Sequence, residues 1–337
     1  MLDGGMRPGQ LYWNAAIFVL LILTSLCSVA QGRGNSDELS VVGSSPSTAD
    51  LGLAAARLAA LDKALKERDY RTAETLLLEE IRQDPKSKRA ARLLTVVGHI
   101  FFLDGEYLNS AIAWQKAQAI APLDNQTKFS LAMAYIRLRQ NGWAQRELQE
   151  LSSVDPTNAL YLYWLARIDY DGGEYESAIV KLNRVSSLDP EMMRVYYTLG
   201  LCYDYLGRLD EAIQNYQHAI ELNRRQRKPS PWPHLDLAVA LMSLNRLPEA
   251  ESQLHEALNY DPTLAEIYYQ LGILAERKDQ IDEAIRSFER AVELKPSYPE
   301  PHYSLGRIYH RLGKNSEAEK QIDTFKELTN AGTARSH

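Results

Sequence analysis

Cysteine is nearly absent: Cys27 and Cys202 are the only two in 337 residues, too few for a disulfide framework or a Cys-rich zinc site. An excess of charge of one sign is missing as well. The 38 basic and 44 acidic residues give a formal net charge of -6 and a pI near 5.7, without the basic footprint of a general nucleic-acid binder. Catalytic motifs are also wanting. There is no nucleotide-type Gly loop and no G-x-S-x-G elbow, and His255-Glu256 lacks the second His of a metalloprotease helix. His302 and His310 lie eight apart with no carboxylate set at metal spacing, and His99 and His218 stand alone. The fragment DYDGGE (169–174) begins like a calcium loop but lacks the later ligands, and Asp and Gly are ordinary turn residues. No enzymatic activity, cofactor or metal is expected. What is present is 45% apolar content, ample for a continuous core in two ordinary domains or one elongated array.

At the N-terminus, Arg7 precedes the apolar run AAIFVLLILTSLCSVA (15–30), and Ser28-Val29-Ala30 offers the small residues of a signal-peptidase site. Residues 1–30 are expected to be a signal peptide, making the protein exported, periplasmic or extracellular. The rival is a signal anchor over 11–30, which just reaches the ~20 residues that cross a bilayer. Cys27 follows Leu26, where a lipobox would want a small residue. Residues 31–53 are rich in Gly and Ser and read as a flexible linker.

From residue 54 onward, proline punctuates the chain at 85, 122, 156, 190, 262 and 296, repeatedly 34 apart. A small residue twelve positions earlier gives Ala73, Ser110, Ala144, Ala178, Ala250 and Ala284, and the column continues through Ala212 and Ala318. Twelve before that lie Leu61, Gly98, Ala132, Ala166, Gly200, Ala238, Gly272 and Gly306. Four after the first column stands a large apolar residue: Leu77, Trp114, Leu148, Leu182, Tyr216, Leu254, Phe288 or Ile322. Helices that cross closely need a small residue at the contact and a bulky one a turn away. Each repeat therefore reads as a helical hairpin, ended by Pro and turned by Gly105, Gly142, Gly173, Gly207, Asn245 and Gly313.

These columns resemble the tetratricopeptide repeat family, in eight copies at 54–87, 91–124, 125–158, 159–192, 193–226, 231–264, 265–298 and 299–332, with 333–337 as a tail. The resemblance implies an all-α, right-handed superhelical solenoid of antiparallel helix pairs. Repeat one departs at Leu61 and Glu80 and reads as a worn end repeat; repeat five carries Arg224 where Pro is usual. Four extra residues precede repeat six, in RRQRKPSPWP (224–233). Its cations could meet an anionic patch or lipid headgroup, or simply suit a helix C-terminus beside a stiff connector.

In this family the first helices line a concave face that holds a peptide or partner segment. Carried onto this chain, the facing positions give Phe102, Phe129, Arg137, Tyr163, Arg167, Tyr170, Tyr197, Tyr205, Trp232, Tyr269, Arg277, Tyr303 and Arg307. Met133, Arg194, Asp204 and Arg311 fall on the same positions. A stripe of Tyr and Arg offers rigid area with polar tips. The arginines suit a partner bearing carboxylates. The expected function is a non-enzymatic, exported interaction scaffold, with a monomeric array, no nucleic-acid partner, and membrane contact only through the N-terminal segment if uncleaved. The alternative is a recognition or regulatory subunit of a separate enzyme or envelope assembly, such as a glycosyltransferase or secretion system.

Overall fold

The computed structural model describes residues 51–334; the N-terminal segment, nearly all of the linker and residues 335–337 lie outside it. The chain divides into two compact units, Met1–Val154 and Asp155–His337. The first holds α1 (Ala55–Glu67), α2 (Tyr70–Gln83), α3 (Lys88–Leu103), α4 (Tyr107–Gln118), α5 (Asn125–Arg137) and α6 (Asn141–Val154). The second holds α7 (Ala159–Asp171), α8 (Tyr175–Leu188), α9 (Met193–Tyr205), α10 (Leu209–Asn223) and α11 (Trp232–Ser243). It continues through α12 (Leu247–Tyr260), α13 (Ala265–Arg277), α14 (Ile281–Leu294), α15 (Pro299–Arg311) and α16 (Asn315–Ala334). Among the described residues every regular element is a helix, and within each unit each helix packs on the next in sequence.

The small columns are where helices meet. A methyl group added to Gly98 would stand 2.4 Å from the indole of Trp114, and one on Gly200 or Gly272 would stand 2.5 Å from the ring of Tyr216 or Phe288. At Gly306 the obstacle is Ile322, at 2.7 Å. Trp114, Tyr216 and Phe288 are fully buried, and each burial stabilises the pair by about 2–3 kcal/mol. Repeats whose first helix carries Ala132, Ala166 or Ala238 place the smaller Leu148, Leu182 or Leu254 opposite, also fully buried. Polar edges at the contact are satisfied: Ser110 Oγ donates to the Gly98 carbonyl at 2.8 Å, and Trp114 Nε1 donates to that of Thr95 at 3.0 Å.

Repeat one lacks the small residue, and Leu61 and Leu77 meet there fully buried. Its other departure, Glu80, is held by Arg57 at 3.1 Å and Arg89 at 2.5 Å. Arg89 also donates to the carbonyl of the buried Leu51, which ties the segment leading into the first helix to α3.

The hairpin turn repeats as strictly as the contact. One residue per pair takes a left-handed conformation: Arg68, Gly105, Arg139, Gly173, Gly207, Asn245, Asp279 and Gly313, with φ between 57° and 81°. The N–H of the following residue closes the first helix, as from Glu106 to Phe101 and from Arg208 to Tyr203, both at 2.8 Å. Its carbonyl then accepts the first bond of the second helix, as from Ser110 or Ala212 at 3.0 Å. This is a Schellman closure in which one residue serves both helices. Gly142, expected in this turn, lies instead in the first turn of α6, and Arg139 holds the left-handed position at φ 57°. The register, 34 residues on from Gly105, fixes the position, and glycine content misleads.

A left-handed side chain costs roughly 1–2 kcal/mol, partly offset by the entropy that glycine adds to the unfolded chain. Arg139→Gly is therefore expected to raise stability by up to about 1 kcal/mol, and Gly207→Ala to lower it by about as much. Urea titration checks both; destabilisation by Arg139→Gly would contradict the turn geometry.

Candidate functional site

The first-helix face in the first unit carries little accessible aromatic surface. Phe102, expected there to meet a ligand, is buried edge-on against Tyr107 at 5.3 Å and beside Trp114 at 6.0 Å. Phe129 is also buried, and Arg137 is half-buried.

In the second unit the expected residues part into two groups. Tyr163, Tyr170 and Tyr197 are buried, so their rings serve packing. The Arg194 guanidinium covers Tyr163 at 5.2 Å, and the Tyr197 hydroxyl donates to the buried Asp236 carboxylate at 2.6 Å. Accessible to some degree are Arg167, Tyr205, Trp232, Tyr269, Arg277, Tyr303 and Arg307. Tyr205 stacks on Tyr175 of the adjoining second helix, 4.8 Å apart and 9° from parallel, with Tyr170 edge-on to both. Trp232 opens α11, its N–H directed at Ser230 Oγ at 3.3 Å. Tyr303 leans on Phe325 at 5.3 Å.

The arginines are already occupied. Arg167 pairs with Asp171 at 3.3 Å and covers Tyr170 at 5.1 Å. Arg277 donates to the Met242 carbonyl at 2.5 Å, and Arg307 pairs with Glu276 at 2.6 Å. Burial, then the nearby Glu300 carboxylate, push the Tyr269 hydroxyl up to about 12, and Glu300 Oε2 is itself buried with no hydrogen-bond partner among the described residues. Two participants escaped the sequence reading. Tyr175 lies on a second helix, outside the family's facing positions, whereas Asp236 in the apolar string LDLAVALM was a visible signal of a buried acid needing a donor.

Among the described residues no cluster of three or more His, Cys, Asp or Glu is placed to hold a metal. Burial pushes the Cys202 thiol up to about 12, which leaves it un-ionised and inert. His234 is buried, stacked on Tyr260 at 5.3 Å, with Nδ1 against Gln253 Oε1 at 2.8 Å and Nε2 without a hydrogen-bond partner among the described residues. Burial, with Arg224 adding, holds its pKa below the usual value despite pulls from Gln253 and Glu256.

Family models described as tetratricopeptide repeats match residues 129–186, 194–226, 231–256 and 277–313. The sixteen helices fit a tetratricopeptide-repeat array. A curated relative, the BBSome complex member BBS4 of Bos taurus, is 23% identical over 200 residues, 59% of this chain and 38% of that protein. The chain thus spans about two fifths of that relative. A tetratricopeptide repeat protein from Parabacteroides merdae superposes with a TM-score of 0.59 at 15% identity, covering 79% of this chain and 97% of the other. PilW, titled a widely conserved type IV pilus biogenesis factor, gives 0.55 at 18% identity over 60% of this chain and 92% of its own. At such identities the structural likenesses establish the fold alone. No helix among the described residues is long and apolar enough to cross a membrane.

The buried histidine makes stability depend on pH. As pH falls through about 6.5 the unfolded chain takes up a proton that the folded His234 refuses, so stability declines from there toward the lower folded-state pKa. The drop in urea midpoint between about pH 7.5 and 5.5 should be smaller in His234→Gln than in the native chain. An equal drop would assign the effect to other groups.

Proposed function

We propose that this chain is a non-enzymatic interaction scaffold, and that the first-helix face of the second unit receives a segment of a partner protein. What supports the reading is the row of partly accessible side chains Tyr205, Trp232, Tyr269 and Tyr303, spread over successive first helices of that unit. Rigid aromatic area with polar tips suits a binding hot spot. The buried Tyr170 packs edge-on against Tyr205 of this row at 5.9 Å. The BBSome member belongs, by its name, to a complex, which agrees with a scaffold role.

The acidity expected of the partner is not what this face contributes. A carboxylate arriving at Arg167 or Arg307 would displace Asp171 or Glu276, an exchange with little net gain near water. The partner segment instead presents apolar groups to the tyrosines. The proposal includes export: the apolar run 15–30 and Ser28-Val29-Ala30 motivate it. It keeps 54–332 as the array.

Affinity purification of the full chain from its native host tests both parts. Mass spectrometry should identify a co-purifying protein that Trp232→Ala and Tyr303→Ala each release, by about 1 kcal/mol or more, without loss of helicity. N-terminal sequencing of the same sample should begin at Gln31. Retention of the partner by both variants sinks the groove reading, and an intact N-terminus in the cytosolic fraction sinks export.

A further inference from the structure

We propose that the insertion 224–233 is a preformed cationic loop that docks an acidic segment of a partner protein. This goes beyond the first-helix reading, because the cations it uses, at 224–228, are not part of that face, although Trp232 at the end of the loop is. Arg224, Arg225, Arg227 and Lys228 are all exposed. Arg224 pairs with Glu221 at 3.2 Å and Arg225 with Glu191 at 3.0 Å, exposed contacts of little worth. Arg227 and Lys228 have no hydrogen-bond or ion-pair partner among the described residues.

The loop does not owe its shape to those cations. Asn223, fully buried, spends its whole amide on one residue: Nδ2 donates to the Ser230 carbonyl at 2.8 Å, and Oδ1 accepts from the Ser230 N–H at 2.9 Å. Gln226 N–H donates to the Asn223 carbonyl at 3.0 Å, and Ser230 Oγ receives the Trp232 N–H. Pro229 and Pro231 restrict the backbone further. Folding has therefore already met the ordering cost that would otherwise oppose binding.

A narrow acidic segment fits this site better than an anionic bilayer. Each cation near a charged membrane contributes only about 1 kcal/mol, and a flat surface would also meet the exposed Glu191 and Glu221. An extended peptide can reach Arg227 and Lys228 while avoiding those glutamates, and a guanidinium can bind a carboxylate through two parallel bonds. The chain as a whole is acidic at -6, so attraction for such a peptide has to be local.

The test uses the full chain and a fluorescein-labelled decaglutamate peptide, followed by anisotropy at low ionic strength, about 50 mM. Arg227→Glu/Lys228→Glu should weaken binding at least about fivefold. Lys86→Glu/Lys88→Glu, the same charge change on exposed residues elsewhere, should alter it less than about twofold. Equal weakening by both variants would mean that only net charge matters and would overturn the site. So would a native chain that ignores the peptide, or one that ignores it yet floats with vesicles of equal parts phosphatidylglycerol and phosphatidylcholine.

Discussion

Two helices can cross closely only if one of them gives up its side chain at the crossing, and the array depends on that constraint. In the glycine repeats the missing side chain is replaced by a large group from sixteen residues on, so Gly98 meets Trp114, Gly200 meets Tyr216 and Gly272 meets Phe288. Where the first helix keeps a methyl group, at Ala132, Ala166 and Ala238, the filler shrinks to leucine. In these six pairs the two members vary together, as close packing requires of groups that share a fixed volume; the end pairs Leu61–Leu77 and Gly306–Ile322 depart from the rule. Most of the remaining architecture follows from how each pair is turned and how the next is received.

The turn links this contact to the surface. A left-handed residue followed by one that closes the first helix and opens the second sets the start of the second helix within narrow limits. Second helices thus begin in register, and the first helices of the second unit present Tyr205, Trp232, Tyr269 and Tyr303 from successive pairs. The break in the period, at 224–233, is itself held by a buried amide, so the register resumes without a loose joint.

Columns of small and large residues were legible in the sequence because a helix crossing imposes them locally, and the helix pairs follow those columns. Gly142 misled because composition stood in for register: the position 34 residues from Gly105 is Arg139, which takes the strained conformation. Tyr163 and Tyr197 sit at the family's facing positions, yet neighbouring groups cover them, a fact set by the Arg194 guanidinium and the Asp236 carboxylate. Arg167 has a local partner in Asp171, four residues on, whereas two other arginines looked free because their partners are remote in sequence. Arg277 finds Met242 and Arg307 finds Glu276, each about one repeat back, an offset that local helix reasoning does not inspect.

The shared-volume account is tested most directly by a double-mutant cycle at Gly272 and Phe288. Gly272→Ala should lower stability by about 1–3 kcal/mol, because the new methyl would stand 2.5 Å from the Phe288 ring. Phe288→Leu alone should also destabilise, by leaving a cavity. Combined, they reproduce the Ala–Leu pairing of Ala166 and Leu182, and the double variant should be more stable than the sum of the single effects by at least about 1 kcal/mol. Additivity to within about 0.3 kcal/mol would contradict the claim that the two residues share one volume.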